Sequence, residues 1–151
     1  MSYQLSPIFM KPISMVTAVP DVALGTIREE SGELYRYVHN CGIAATGTGV
    51  GLIRPASAFA GLYSCSVSSA SGDACLGFVK HVSIPAAEYG WALIQGTVTV
   101  AIASSASTPA AGCLGLGANG AVATHSVGMP VGQILTAIVS GNSGTLRVQL
   151  A

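Results

Sequence analysis

The stretch EYGWALIQGTVTV, Glu88 to Val100, decides how this chain is read. It holds the one tryptophan of 151 residues, Trp91, placed between Gly90 and Gly96, and it runs on as an alternating apolar strand. Successive side chains of a strand point to opposite faces. Counting by two puts Ala92, Ile94, Val98, Val100 and Ile102 on one face, with Gly96 in line. Trp91 and Leu93 fall on the other, followed by polar Gln95, Thr97 and Thr99. A bulge at Gly96 switches the parity, aligns Trp91 with Val98 and makes it a core plug. Without a bulge, Trp91 and Leu93 begin a second apolar patch, which another loop or another subunit must cover. A ligand platform ranks last, because no convergent polar or charged groups accompany the ring.

Outward from this strand the chain keeps the same character. Helical periodicity is nearly absent, and Gly, Ser, Thr and Val are spread throughout, which disfavours helices and suits short strands joined by turns. The strand candidates are Leu24–Glu29, Leu34–Asn40, Val50–Arg54, Gly61–Ser66, Cys75–Ile84, Gly90–Ile102, Gly120–Thr124, Leu135–Val139 and Thr145–Leu150. One short helix is a candidate near Val131–Thr136, after Pro130. The pattern predicts an all-β fold, an antiparallel β-sandwich or small barrel with little helix. Ser31-Gly32 reads as a two-residue hairpin turn. That register sets Arg28 opposite Tyr35 and Thr26 opposite Tyr37, and it turns Leu34, Arg36 and Val38 to the other face. Glu29, Glu30 and Glu33 then crowd a tip expected to be solvated. Residues 1–20, with three prolines and no clean alternation, read as an extended N-terminal arm, and 21–151 as a single β-rich domain. Such an arm lies either on its own domain or on a neighbour.

Composition bounds what the chain does. Charged residues are 8%, against about 25% in typical domains. Six Lys/Arg balance six Asp/Glu, so no field exists to attract nucleic acid or an anionic membrane. Tyr89 to Leu146 carries no charge, yet Gln, Ser, Thr, Pro and Gly interrupt every run before the about 18 apolar residues of a membrane helix. The start, MSYQLSPIFMKPIS, lacks the basic and apolar segments of a signal peptide, so synthesis without export is expected. A surface so poor in charge suggests burial against other chains, or else solubility through hydroxyls. Cys41, Cys65, Cys75 and Cys113 are irregularly spaced and read as free thiols, with a Cys65–Cys75 bridge open only to a chain that meets an oxidising environment.

Motifs for chemistry are thin. Gly115-Leu116-Gly117-Ala118-Asn119-Gly120 matches G-x-G-x-x-G, but no helix follows and no acidic residue exists after Glu88 to hold a ribose. It reads as a turn between strands. Gly47-Thr48-Gly49-Val50-Gly51 lacks the Lys of a phosphate-binding loop and reads as a loop entering a strand. His39, His81 and His125 match no zinc spacing, and a Cys65, Cys75, His81 cluster fits no familiar pattern. No G-x-S-x-G elbow occurs. No enzymatic activity, cofactor or metal is therefore expected. Sugar binding stays open, with Trp91, Tyr35, Tyr37 and Tyr63 as the available aromatic faces.

One resemblance covers Gly25 to Gly96. Gly25-Thr26, then Gly32-Glu33-Leu34-Tyr35-Arg36-Tyr37-Val38-His39-Asn40, Gly77-Phe78-Val79 and Tyr89-Gly90-Trp91-Ala92-Leu93-Ile94-Gln95-Gly96 occur in an order that resembles the capsid decoration, or cement, proteins of tailed bacteriophages. Gly132, Leu135 and Gly144-Thr145-Leu146-Arg147-Val148 add a similar finish. The resemblance implies a β-rich virion protein, made in the host cytoplasm, that binds the outside of an assembled icosahedral shell. Its partner would be the major capsid protein, and it would act as a homo-oligomer, commonly a trimer and in some cases a dimer; the alternative phage role is a tail or baseplate part. The residues expected to meet that partner are Phe9, Met10, Lys11, Pro12 and Ile13 of the arm, with Arg28, Tyr35, Tyr37 and Trp91.

Overall fold

A computed structural model of the chain describes residues 11–55, 61–67, 75–101, 113–116, 121–124, 132–134 and 143–150. The fold is all-β, with no helix among those residues. The strands are β1 (Ile27–Glu30), β2 (Glu33–Asn40), β3 (Gly51–Ile53), β4 (Ser64–Val67), β5 (Cys75–Phe78), β6 (Tyr89–Ala101), β7 (Cys113–Leu116), β8 (Val122–Thr124), β9 (Gly132–Ile134) and β10 (Ser143–Gln149). Their order is β1-β2-β4-β3-β5-β6-β10-β9-β7-β8, and a further β2–β6 pairing closes β2, β4, β3, β5 and β6 into a small barrel. Every pairing is antiparallel except β2–β4, where His39 and Asn40 run parallel to Ser64 and Cys65. The expected sandwich or barrel is thus a barrel, and its sheet is mixed rather than purely antiparallel.

Local chemistry sets the first hairpin. Ser31 and Gly32 both take positive φ, 55° and 78°, the twist that joins two antiparallel strands through a two-residue turn. Arg28 pairs with Tyr35, as the turn dictates, and Tyr37 N–H bonds to the Thr26 carbonyl at 2.9 Å. β6 is long enough to belong to two ladders. Its first half pairs with β2, and its second half with β10 from Gln95–Gln149 to Ala101–Ser143.

The two halves are joined by a bulge. Leu34 pairs with Gln95 but Tyr35 pairs with Leu93, so Ile94 is an extra residue in β6. Gly96 follows at φ 140°, a backbone region that side chains rarely adopt. The parity switches here. Trp91 and Leu93 before the bulge, and Val98 and Val100 after it, all pack in one apolar cluster. Of the two arrangements open to Glu88–Val100, the bulged one is realised.

Two cores result, one on each face of the β2–β6 pair. Val38, Leu52, Cys65, Ala92 and Leu76 come one from each barrel strand and fill the barrel with Val79 and Ile84. Tyr35, Ile53, Phe78 and Leu93 face the other way and pack with Val98, Val100, Leu146, Val148 and Val122 of the C-terminal strands. Ile13 joins this second core and Val16 packs on the first. Thr17 and Tyr89 exchange backbone hydrogen bonds at 3.0 and 2.9 Å. Of the two placements open to the arm, its residues 11–20 take the one on their own domain, while Phe9 and Met10 lie outside the described residues.

Some elements differ from the sequence expectation. The helix expected near Val131–Thr136 is not formed over its first part: Gly132–Ile134 is β9, held between β10 and β7. Tertiary pairing overrides weak local preference there, since a three-residue strand with a ladder on each side has its backbone groups bonded without a helix. β7 was not expected, because Cys113-Leu114-Gly115-Leu116 shows no alternation. It pairs with β8 through Leu116 and Val122, so the G-x-G-x-x-G stretch does connect two antiparallel strands. The strand expected over Cys75–Ile84 ends at Phe78. The strand expected at Leu135–Val139 lies outside the described residues.

Candidate functional site

Two features of the β2–β6 region gather the polar and aromatic side chains. The first is a row of rings. His39 stacks on Tyr89 at 4.5 Å, Tyr89 on Tyr37 at 6.2 Å, and Tyr37 meets Trp91 at 5.0 Å between ring centroids. The row exists because His39, Tyr37 and Tyr35 pair with Tyr89, Trp91 and Leu93 on one face of the ladder. Arg28 ends the row, its guanidinium 5.9 Å from the Trp91 ring. The same guanidinium donates to the Lys11 carbonyl at 2.6 Å and pairs with Glu30 at 2.5 Å. Tyr37 is bonded at its hydroxyl to Thr17 at 3.0 Å and accepts from the Asp21 amide at 3.3 Å. Lys11 and Asp21 form an ion pair at 2.6 Å. The row therefore clamps residues 11–21 to the barrel wall.

These contacts place the residues expected to meet a partner. Ile13, Arg28, Tyr35 and Tyr37 are 8%, 8%, 1% and 2% exposed, so the chain's own residues cover them. Trp91 is half-buried at the edge of the second core. Lys11 and Pro12 are exposed. The aromatic sugar platform loses Tyr35 and Tyr37 in the same way, for their faces are not open to solvent. Large apolar side chains that do face solvent are Met15, Val19, Ile27, Ile43 and Leu62.

The second feature is centred on Glu33. Its carboxylate accepts from Lys80 Nζ at 2.5 Å, from the Tyr35 hydroxyl at 2.6 Å and from the Thr97 amide at 3.0 Å. The last bond satisfies a backbone group just past the bulge. Tyr35 has one hydroxyl hydrogen, donated to Glu33, so His81 Nε2, 2.9 Å away, is assigned as a donor to the phenolic oxygen. Burial works against the Glu33 charge, but Lys80, the Thr97 amide and Tyr35 outweigh it and hold the carboxyl at about 2. Burial and the Glu33 carboxylate push the Tyr35 phenol well above its usual range, so it is a fixed donor and not a base. The expectation of a solvated glutamate tip is corrected at Glu33, whose side chain is 17% exposed because a cation from the loop after β5 reaches it.

The Glu33 carboxyl, lowered from 4.5 to about 2 by folding, has a definite consequence in acid. Between those values the unfolded chain binds a proton that the folded chain does not, so stability rises with pH across this window. The Glu33 contribution is complete above about pH 4.5 and is lost as pH falls through about 2. Glu33→Gln is expected to flatten the dependence of unfolding free energy on pH in that interval, measured by urea titrations at stepped pH. An unchanged slope would show that the pairing is not formed in solution.

The Glu33 cluster borders a cleft of about 300 Å³, lined on its other sides by Gln95, Gly96, Thr97, Arg147 and Gln149. No group of three or more His, Cys, Asp or Glu side chains converges to hold a metal among the described residues. Cys41, Cys65 and Cys75 are free thiols, so the Cys65–Cys75 bridge is not formed. Burial pushes the Cys65 and Cys75 thiols up to about 12, which leaves them protonated and unreactive at neutral pH. No family model, curated protein or solved structure matches this chain.

Sequence reasoning missed Glu33, Lys80, His81 and Arg147 as members of one region. Lys80 and His81 are 47 and 46 positions from their partners, and no local pattern signals such a pairing.

Proposed function

We propose that this chain is a structural protein that binds the outer surface of an assembled icosahedral phage shell and bridges its major capsid subunits. The observation that carries the reading is the character of the surface. Val19, Ile43, Leu62 and Ile27 are 72%, 103%, 58% and 51% exposed on a chain with only 12 formal charges. Large apolar groups on a charge-poor surface suit burial against other chains. The stretches that resemble decoration proteins supply the hairpin turn, the aromatic row, the bulge and part of both cores. They are framework residues, which agrees with a mechanical role.

In this reading several weak contacts per oligomer act together, so that avidity holds neighbouring shell subunits against internal pressure. The chain would work as a homo-oligomer, with a trimer favoured. Its place would be the virion exterior after synthesis in the host cytoplasm, and the reading involves no catalysis, cofactor, membrane or nucleic acid.

Co-sedimentation tests it. The purified chain is expected to saturate expanded shells of the phage that encodes it and to ignore free major capsid protein. Val19→Glu and Ile43→Glu, at exposed positions, are expected to weaken shell binding at least tenfold without lowering the melting temperature. Failure to bind any expanded shell, or binding untouched by both substitutions, would reject the proposal.

A further inference from the structure

The cleft beside the bulge is a concave, polar feature that the framework role leaves unused. Its floor is the β6–β10 ladder at the bulge, where Gln95 pairs with Gln149 and Thr97 pairs with Arg147. Cross-strand partners project from the same face, so these four side chains form a square, and all four are exposed. Gly96 lies between them and contributes no side chain to fill the space. Glu33 closes one side.

Charge in the cleft is asymmetric. The Glu33 carboxylate is already held by Lys80, Tyr35 and the Thr97 amide. Arg147 is exposed and forms no ion pair among the described residues. The region, with one engaged carboxylate and two cations, therefore favours one negative charge, and the guanidinium fork matches a carboxylate through two parallel hydrogen bonds. Gln95 and Gln149 supply donors and acceptors of the kind that sugar hydroxyls use, and the Thr97 hydroxyl, which donates to Glu33 Oε1 at 3.5 Å, adds an acceptor. Among the described residues no aromatic ring lines the cleft, so none of them offers a neutral sugar a stacking surface. Proximity of Glu33 disfavours a dianion such as phosphate. A volume of about 300 Å³ stands at the small end of ligand sites, about 300–1,000 Å³, and suits a single sugar unit.

We propose that the cleft formed by Gln95, Thr97, Arg147 and Gln149 beside Glu33 binds a carboxylate-bearing sugar, with Arg147 taking the carboxylate and the amides and hydroxyl taking the ring hydroxyls. The site goes beyond the shell-binding reading and does not depend on it. A decoration protein with such a site would present an acidic-glycan contact to the outside of the particle.

The test is a titration of the ¹⁵N-labelled full chain with glucuronate, followed by NMR, with glucose and acetate as separate arms. Saturable shifts at Gln95, Thr97 and Gln149 over millimolar glucuronate are expected, with at least tenfold weaker responses to glucose and to acetate. Arg147→Gln is expected to weaken glucuronate binding at least tenfold with no change in melting temperature, and Gln149→Ala to weaken it several-fold. Four results would each overturn the proposal: no shifts at the cleft, glucose binding as well as glucuronate, acetate binding as well as glucuronate, or Arg147→Gln binding as the parent does. Shell co-sedimentation of the same variants separates this site from the shell contact.

Discussion

Asn40→Leu is expected to lower the unfolding free energy by about 4 kcal/mol. The side chain is fully buried at the end of β2. Its amide nitrogen donates to the carbonyls of Ala44, Ile84 and Pro85 at 2.9, 2.8 and 3.1 Å, and its oxygen accepts from the Gly42 amide at 3.0 Å. The backbone of the same residue bonds to Glu88 and Ala87. Asn40 therefore fastens the chain after β2 to the segment that leads into β6. Leucine fills similar space but takes the partner from the Ala44 carbonyl and the Gly42 amide, at about 1–3 kcal/mol for each group that water fails to reach, while the Ile84 and Pro85 carbonyls keep only the Thr46 and Glu88 amides. Asn40→Asp keeps the shape and replaces the two-hydrogen donor with an acceptor facing those carbonyls. It is expected to destabilise comparably and to do so more as pH rises through the carboxyl titration, because the oxygen that replaces the amide nitrogen faces three carbonyl oxygens, and the Gly42 amide reaches only the other oxygen. Urea unfolding at pH 4 and pH 7 measures both. A loss under 1 kcal/mol for both variants would mean that this hub carries little of the fold.

Gly96→Ala is expected to cost about 3 kcal/mol, from two separate sources. A β-carbon at this position would lie 2.7 Å from Glu33 Oε1 and 2.8 Å from Glu33 Cγ. The backbone at φ 140° is also unfavourable for any residue with a β-carbon. The Glu33 carboxylate is not free to step aside, since Lys80, Tyr35 and Thr97 fix it. Glu33→Ala in the Gly96→Ala background removes the steric part and leaves the backbone strain. A double-mutant cycle should therefore show a coupling of about 1 kcal/mol or more, with the double variant more stable than the two single losses predict. Strict additivity would show that Glu33 and Gly96 do not touch.

How far the sequence reaches can be judged from particular residues. The Ser31-Gly32 turn and the pairing of Arg28 with Tyr35 were legible, because a two-residue turn fixes the register of its own strands. The parity fork at Trp91 was legible as a fork: both its branches follow from period-two counting, and Gly96 marks where the switch can occur. The choice between branches was not legible. It depends on Glu33, which caps the amide of Thr97 from 64 positions away.

The candidate sites divide the same way. The aromatic row was half visible, because the hairpin register sets Tyr35 and Tyr37 on one face of their strand with Arg28 opposite. That Tyr37 and Arg28 hold the chain's own N-terminal segment is decided by Thr17, Lys11 and Asp21. The cleft was invisible, because Gln95, Thr97, Arg147 and Gln149 look like ordinary solvent-facing strand positions until β10 is laid beside β6.

By itself the sequence determined the class of the fold. Abundant Gly, Ser, Thr and Val, period-two alternation and short turns favour β-strands locally, whatever the strands later pair with. Tertiary structure alone decided closure. β2 meets β6 on one edge, and β1 and then β4 on the other, and that makes a barrel of what local rules leave as a set of strands. It also decided the parallel β2–β4 contact and turned the segment at Gly132–Ile134 from an expected helix into β9. The reason is the range of the interactions. Turns and alternation act within a few residues, whereas strand partners, bulge caps and ion pairs such as Lys80–Glu33 join positions whose proximity exists only once the chain has folded.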